Sequence, residues 1–316
     1  MASDQREALA AASVAGGGVW AAWRDLSRQQ QRRFGGYAGY FALLTLLFIK
    51  PLSTLMLHAS QSDLHSHILL VPFISGYLLY VRRGQLLTAY RSSVNGTVMA
   101  SGIAIAALAA GIEWRGILSV NDGLALMALA YVSFLAAGGF LFLGSKWMRS
   151  AAFPIAFLIF MVPLPDAAVN WLEDASVIAS AQAAAMFFNL SGTPLVWHGT
   201  VLELPGIVLR VAQECSGIHS SWVLFITSLI ASNLFLKSRW RRIALVAFVI
   251  PLGILRNGFR ILVIGLLCVH IGPNMIDSSI HRRGGPIFFA LSLIPLFLLL
   301  WWLRRRERRN APVGGL

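Results

Sequence analysis

Cys215 is the residue of this chain whose surroundings best suit covalent chemistry. It lies in the segment VAQECSGIHS, between Glu214 and a run of apolar residues, with His219 four residues later. The thiolate is the reactive form of cysteine, and a helix N-terminus or a nearby cation lowers the thiol pKa. The alternatives are a packed, unreactive thiol or a disulfide with Cys268. Cys268 lies in the apolar run ILVIGLLCVH, where packing is expected.

Two arginines, Arg256 and Arg260, interrupt the apolar run PLGILRNGFRILVIGLL. Charged residues within a membrane span are costly and indicate a function, and a spacing of four puts both on one helix face. Arg260 follows Ile243 by a helical rise of about 26 Å, so we expect it near the outer boundary, with Arg256 deeper. Asn257 can hydrogen-bond to a neighbouring helix. The alternative is that both arginines only reach for lipid headgroups.

His281 follows in the segment IDSSIHRRGGPIFF, in the last predicted outer loop. It is either an ordinary loop histidine beside two arginines or a general acid and base, a role that histidine fills near neutral pH. A cysteine, an arginine and a histidine at three outer helix ends would supply a nucleophile, an oxyanion donor and a proton shuttle.

A second cluster of polar groups, in the segment DLHSH, contains Asp63, His65 and His67. These groups could ligate a metal ion, but an H-x-H pair is a weak signal and no HExxH motif accompanies it. We expect Asp63 and His67 to position other groups or to contact substrate. The sequence predicts no metal site and no cofactor.

The composition places these residues in a membrane protein. The chain is 57% hydrophobic and 12% charged, about half the charged fraction of a soluble domain. The net charge of +13 would suit nucleic acid, but the basic residues form short clusters between apolar runs, which instead indicates control of membrane topology. A span needs about 20 apolar residues, and eight are predicted: 34–57, 66–81, 95–112, 122–143, 150–164, 216–236, 243–270 and 286–303.

The distribution of charge predicts the orientation. Placing both termini inside puts 19 of the 26 basic residues in cytoplasmic segments, as the positive-inside rule requires. All seven histidines and both cysteines then lie at or near the outer face. The predicted organisation is a cytoplasmic tail over 1–33, a transmembrane domain over 34–303 and a basic cytoplasmic tail over 304–316.

The largest predicted outer loop covers 165–214. Its first part has polar residues on one side of a helical wheel, which predicts an amphipathic helix in the membrane interface. Its second part alternates turn residues with β-rich runs and predicts a small hairpin or two short strands. The expected fold is therefore an all-α polytopic membrane protein of about eight transmembrane helices, with this helix and hairpin before helix six. The polar residues are Asp166, Asn170, Glu173, Asp174, Ser176 and Ser180.

Several motifs in order along the chain resemble the exosortase/archaeosortase family. They are SHILLVPFISGYLLYVRR, MVPLP at 161–165, the G-x-P-L-x-x-x-G-x-x-x-x-LPG run at 192–206, VAQECSGIHS, WRR at 240–242, NGFRI, and a late histidine before GGPIFF. The resemblance covers about residues 60–290. No single motif is decisive, but the series is specific.

The resemblance implies an eight-helix inner-membrane cysteine protease or transpeptidase with its site on the periplasmic face. Its substrates would be exported proteins with a C-terminal sorting tag: a short Pro-Glu-Pro-like motif, a hydrophobic span and a basic tail. Family members often act beside exopolysaccharide export. The family's cysteine, N-x-x-R arginine and late histidine fall on Cys215, Arg260 and His281. The family often has an arginine where this chain has His219, so either His219 or His281 is the base.

Three other functions compete with the peptidase. A transporter or flippase for an anionic lipid-linked sugar would use Arg256 and Arg260 to bind the anion. A non-catalytic subunit of an envelope polysaccharide system would not need Cys215. A metal-dependent intramembrane hydrolase would be sensitive to chelators.

Overall fold

A computed structural model describes residues 27–62, 64–86, 91–211, 217–277 and 284–309. Two compact units divide the chain, Met1–Leu164 and Pro165–Leu316. Each is described separately below.

Helices make up the described part of the first unit. Helix α1 begins after a capping box, in which the Ser27 side chain accepts from the Gln30 backbone and Gln30 returns the bond. At the start of α5, the Ser119 side chain caps the helix by accepting a hydrogen bond from the Asp122 backbone amide. The helices are α1 Arg28–Leu47, α2 Ile49–Gln61, α3 Val71–Val81, α4 Val94–Glu113, α5 Val120–Gly138, α6 Gly144–Ser150 and α7 Ala152–Phe157; 3-10 turns cover Ser66–Leu69, Arg83–Gln85 and Leu158–Met161, and a π-helical segment covers Gly139–Leu143.

The predicted first, second and fifth spans differ from the structure. The first is broken at Phe48, where α1 and α2 meet at a bend of 71°. The second is a 3-10 turn followed by the 11-residue α3, and the fifth is the short α7 with its 3-10 extension. Five helices of the described chain are long and apolar enough to cross a membrane, or up to seven if each bent pair is one span. An all-helical polytopic membrane fold is confirmed, with fewer long spans than the eight predicted.

The described part of the second unit contains four long helices and a small sheet. The three strands form an antiparallel meander in the order β1-β2-β3, pairing Trp197 with Leu202 and Leu202 with Leu209. The predicted hairpin therefore gains a third strand, which the run IVLR supplies directly after the Pro-Gly turn. The elements are α8 Asp166–Leu190, β1 Val196–His198, β2 Val201–Leu204, β3 Ile207–Arg210, α9 Ile218–Phe235, α10 Arg239–His270, a 3-10 turn Pro273–Asp277 and α11 Gly285–Arg309.

The apolar core of the second unit has two layers, which share the helix α10. The three-helix layer packs α9, the first half of α10 and α11 around Leu224, Leu245, Val249, Leu252, Leu296 and Leu300. The cap layer packs α8, the sheet and the second half of α10 around Ala181, Ala184, Phe188, Leu202, Leu209 and Ile261. Each layer buries apolar side chains that its helices and strands could not bury alone.

Helix α8 is buried along its second half. It has 25 residues, and its second half contributes Val177, Ala181, Ala185 and Phe188 to the cap layer. Ser180, predicted on the polar face, is completely buried. The helical wheel grouped Ser180 with the polar residues of this helix but could not show that α10 buries it and supplies its hydrogen-bond partner.

Candidate active site

The segment Asn257–Arg260 of α10 lies where the two layers meet, and each of its side chains has a distinct environment. Asn257 is 2% exposed and its Nδ2 donates to Ser180 Oγ over 3.0 Å. At Gly258, a Cβ would lie only 2.6 Å from the Ala183 Cβ, so glycine allows α8 to approach α10. The expected interhelical hydrogen bond of Asn257 is therefore present, and its partner helix is α8.

Phe259 completes the packing on the other side of α10. Its ring makes edge-on contacts with Phe187 of α8 and Phe288 of α11, each with ring centroids 6.3 Å apart. These three aromatic residues connect the cap layer with the first turn of α11. The helical turn that ends at Arg260 therefore packs against side chains of both α8 and α11.

Arg260 lines a small cavity of about 50 Å³ in the cap layer. The same cavity is lined by Val211, the last described residue before the segment 212–216, and by Ile276, one residue before the 3-10 turn ends at Asp277. Val211 is fixed by its backbone amide, which donates to Thr200 O over 2.9 Å. The remaining lining residues are Leu209, Arg210, Asn257, Ile261 and Ile264.

Four of the predicted site residues lie outside the described residues: Asp63 of the first unit, and Cys215, Glu214 and His281 of the second. The two segments that contain Cys215, Glu214 and His281 each follow a residue that the structure describes. One begins directly after Val211 and the other directly after Asp277, so both leave the described chain beside the cavity that Arg260 lines.

Arg256 contacts the first residues of α9. Its Nη2 donates to the Gly217 carbonyl oxygen over 2.9 Å and to Ser221 Oγ over 3.0 Å. The side chain is 8% exposed, and its Nη1 is buried without a hydrogen-bond partner among the described residues. Arg256 therefore lies level with the start of α9, and Arg260 lies one helical turn beyond it.

Gly217 has a backbone conformation that favours glycine. Its φ is 66° and ψ is 10°, in the left-handed region, and it is the N-cap residue of α9. A Cβ at this position would lie 3.0 Å from Asn257 Oδ1 and 3.1 Å from Arg256 Nη2. His219, the alternative base, follows in the first turn of α9 and is half-buried.

An open apolar groove of about 300 Å³ lies along α10 and α11, and Arg256 is one of its lining residues. On α10 the lining extends from Leu252 to Phe259, and on α11 it includes Phe288 and Leu291. Leu291 is exposed. The groove therefore presents an apolar surface to either side of the arginine that contacts Gly217.

The second cluster is in the first unit, where the structure describes His65 and His67 but not Asp63. His67 Nδ1 lies 3.0 Å from the Leu64 carbonyl oxygen, and His65 Nδ1 lies 3.1 Å from Ser62 Oγ. Both histidines thus have local partners. No group of three or more His, Cys, Asp or Glu residues suited to a metal ion occurs within the described ranges. The predicted role of Asp63 and His67 stays a prediction.

Sequence reasoning missed Ser180 and Ser221 as partners of the polar residues on α10. Both are serines in largely apolar helices, a type that usually bonds to its own helix backbone. Their spacing gives no signal of an interhelical role, which depends on how close α8 and α9 come to α10. The left-handed conformation of Gly217 could have been predicted, since a glycine directly before an apolar helix indicates a turn or another unusual backbone position.

The comparison with known proteins agrees with the motifs. No curated protein and no solved structure matches this chain. The model of the transmembrane exosortase family matches residues 59–298. That range is most of the chain and includes the arginines of α10, the segment 212–216 and His281. The chain therefore belongs to the transmembrane exosortase family.

Proposed function

We propose that this protein is a membrane-embedded cysteine peptidase or transpeptidase. It cleaves C-terminal sorting tags of exported proteins at the outer face of the inner membrane, in association with exopolysaccharide export. Cys215 is the nucleophile, Arg260 stabilises the oxyanion, and His281 or His219 transfers the proton. Family membership supports the class of reaction, and the cavity at Arg260 supports the grouping of residues.

The observation that carries the proposal is the shared starting point of two chain segments. The segment with Cys215 follows Val211, and the segment with His281 follows closely after Ile276; both of these residues line the cavity with Arg260. Connectivity supports this grouping, because Cys215 precedes Gly217 by two residues and His281 follows Ile276 by five.

The proposed reaction has two steps. The Cys215 thiolate attacks a peptide carbonyl of the tag, and the Sγ–C bond forms as the carbonyl oxygen takes a negative charge that Arg260 binds. The C–N bond then breaks and the histidine protonates the leaving amine. In the second step the histidine removes a proton from water or from an acceptor amine, which attacks the thioester and releases the Cys215 thiolate.

The apolar groove provides a place for the hydrophobic segment of the tag. Arg256, level with the start of α9, is one of its lining residues, and the rest of the lining is mainly aromatic and aliphatic side chains of three helices. A segment held there would place the preceding peptide bond near the residue pair Arg256 and Arg260. Binding of the hydrophobic segment in this groove, rather than a deep pocket for the cleaved peptide, would then account for most of the effective concentration of the peptide bond at the site.

The test is a thioacyl trap. The wild-type protein, Cys215→Ala and Cys215→Ser are each co-expressed with an exported model substrate that ends in a tag, a hydrophobic segment and a basic tail. We expect shortening of the substrate and a hydroxylamine-labile adduct with the wild type only. Full processing by Cys215→Ala would refute the proposal.

A matched control separates the nucleophile from a general effect of losing a thiol. Cys268 is the other cysteine of the chain, lies two residues before the end of α10 and is 3% exposed. Cys268→Ala should process the substrate as the wild type does. Loss of processing in both cysteine variants would indicate damage to the fold instead of loss of the nucleophile.

A further inference from the structure

Two arginines of α10 bind the two ends of α9 in the same way. Arg256 Nη2 donates to the carbonyl oxygen of Gly217, the N-cap residue of α9. Arg242 Nε donates over 2.7 Å to the carbonyl oxygen of Leu236, the C-cap residue of α9. The two arginines are separated by a rise of about 21 Å along one helix, and α9 is fixed between them.

The two contacts differ in what lies next to them. Leu236 is buried and leads into the described link Lys237–Ser238. Gly217 follows Cys215 by two residues, so the bond from Arg256 fixes the backbone at the end of the segment that carries the proposed nucleophile. Asn257 lies against the same glycine, since a Cβ there would be 3.0 Å from its Oδ1.

We propose that Arg256 is a positioning residue for Cys215. Its guanidinium, with Asn257, holds the left-handed turn at Gly217, which follows Cys215 by two residues in the chain. Arg256 itself does not touch the reacting atoms, a role that the proposed function assigns to Arg260. Arg256 Nη2 is bonded to a backbone carbonyl and to Ser221 Oγ, whereas Arg260 lines the cavity that Val211 and Ile276 share.

The inference rests on the proposed function of Cys215, but one measurement is independent of catalysis. Cys215 is labelled with a nitroxide in the full-length Cys268→Ala protein, and the mobility of the label is measured by electron paramagnetic resonance. The variants are Arg256→Gln and Arg242→Gln, which remove the same type of bond from opposite ends of α9. We expect a more mobile label in Arg256→Gln and an unchanged label in Arg242→Gln.

Kinetics of the unlabelled proteins give the second measurement. Arg256→Gln should lower kcat by about 10²-fold, as expected for a reacting group misplaced by about 1 Å, with KM changed by less than about twofold. Arg242→Gln should retain the kcat of the wild type. If the wild type cleaves no tagged substrate, the proposed function fails, while the mobility comparison still decides the positioning role.

Two further variants apply if Arg256→Gln does not fold. Arg256→Lys keeps the charge but loses the planar, rigid guanidinium that directs Nη2 at both acceptors, so the label should show intermediate mobility. Gly217→Ala introduces a Cβ into the contact with Arg256 and Asn257, and the label should again be more mobile. Equal mobility in Arg256→Gln and Arg242→Gln, or wild-type mobility in both Arg256→Lys and Gly217→Ala, would overturn the inference.

Discussion

Replacement of Gly258 by alanine is a direct test of how α8 supports the site. An added Cβ would lie 2.6 Å from the Ala183 Cβ and 3.0 Å from the Ala184 backbone nitrogen. Carbon atoms in contact prefer a separation of about 3.5–4.0 Å, so α8 and α10 would have to separate by about 1 Å. The hydrogen bond from Asn257 to Ser180 crosses the same helix pair and would lengthen with it.

The expected loss of stability follows from two opposing effects. Overpacking a close contact costs about 1–3 kcal/mol, and the rigid backbone of α8 at Ala184 favours the upper end of that range. Replacing glycine by alanine within a helix gains about 1 kcal/mol. We therefore expect Gly258→Ala to lower the free energy of unfolding by about 2 kcal/mol.

The assay is equilibrium unfolding in mixed micelles, followed by circular dichroism. Gly102→Ala is the matched control, because Gly102 is also helical but a Cβ there would meet nothing within 4 Å; it should be neutral or slightly stabilising. Ala183→Gly removes the nearest clashing atom and should recover part of the loss when combined with Gly258→Ala. A Gly258→Ala protein as stable as Gly102→Ala would refute the close approach of α8 and α10.

Three other predictions concern separate features of the chain. Glu307 accepts from the Lys237 and Ser238 amides at the start of α10, so Glu307→Ala should lower the free energy of unfolding by about 1–3 kcal/mol, with Glu307→Gln losing less; an unchanged midpoint in the unfolding assay would contradict this contact. Cys268→Ala should lower the free energy of unfolding by about 1 kcal/mol or less, because Cys268 is a small packed residue. Mass spectrometry of the thiol-labelled variant should detect no label other than the one on Cys215. Of His219→Ala and His281→Ala, the variant lacking the base should lose about 10²–10⁴-fold in cleavage rate; losses of equal size would mean that neither histidine acts alone.

The sequence could predict the class of fold because its signals are local. Apolar runs and basic clusters indicate a polytopic membrane protein, and the β-rich runs before Cys215 indicate a small sheet. The number of spans was harder to predict. Composition does not show that the chain bends at Phe48, and the apolar runs of α3 and α7 are too short to distinguish a span from a shorter helix.

The contacts of the candidate site depend on approach distances that no single segment encodes. The pattern Arg256–Arg260 indicated polar groups in a span, but the partners of Arg256 and Asn257 lie between 35 and 77 residues away in the sequence. These partners are Ser180, Gly217 and Ser221. The small residues Gly258 and Ala183 permit the contact between α8 and α10, but their presence in the sequence does not predict it. Tertiary packing, not local propensity, thus determines which of the predicted polar residues meet.

The length of α10 explains how a protein with few extramembrane residues can hold a site in place. Its first half belongs to the three-helix layer, and the residues after Arg256 continue for about 21 Å past the start of α9 into the cap layer. Asn257 and Arg260 are therefore fixed by the same continuous helix that binds both ends of α9. Pro251 lies within this helix without ending it. A second proline beyond it, such as Ile264→Pro, would fall in the half of α10 that packs in the cap layer, so it should disrupt the cap layer while leaving the three-helix layer folded. Protease sensitivity of α8 would reveal this outcome.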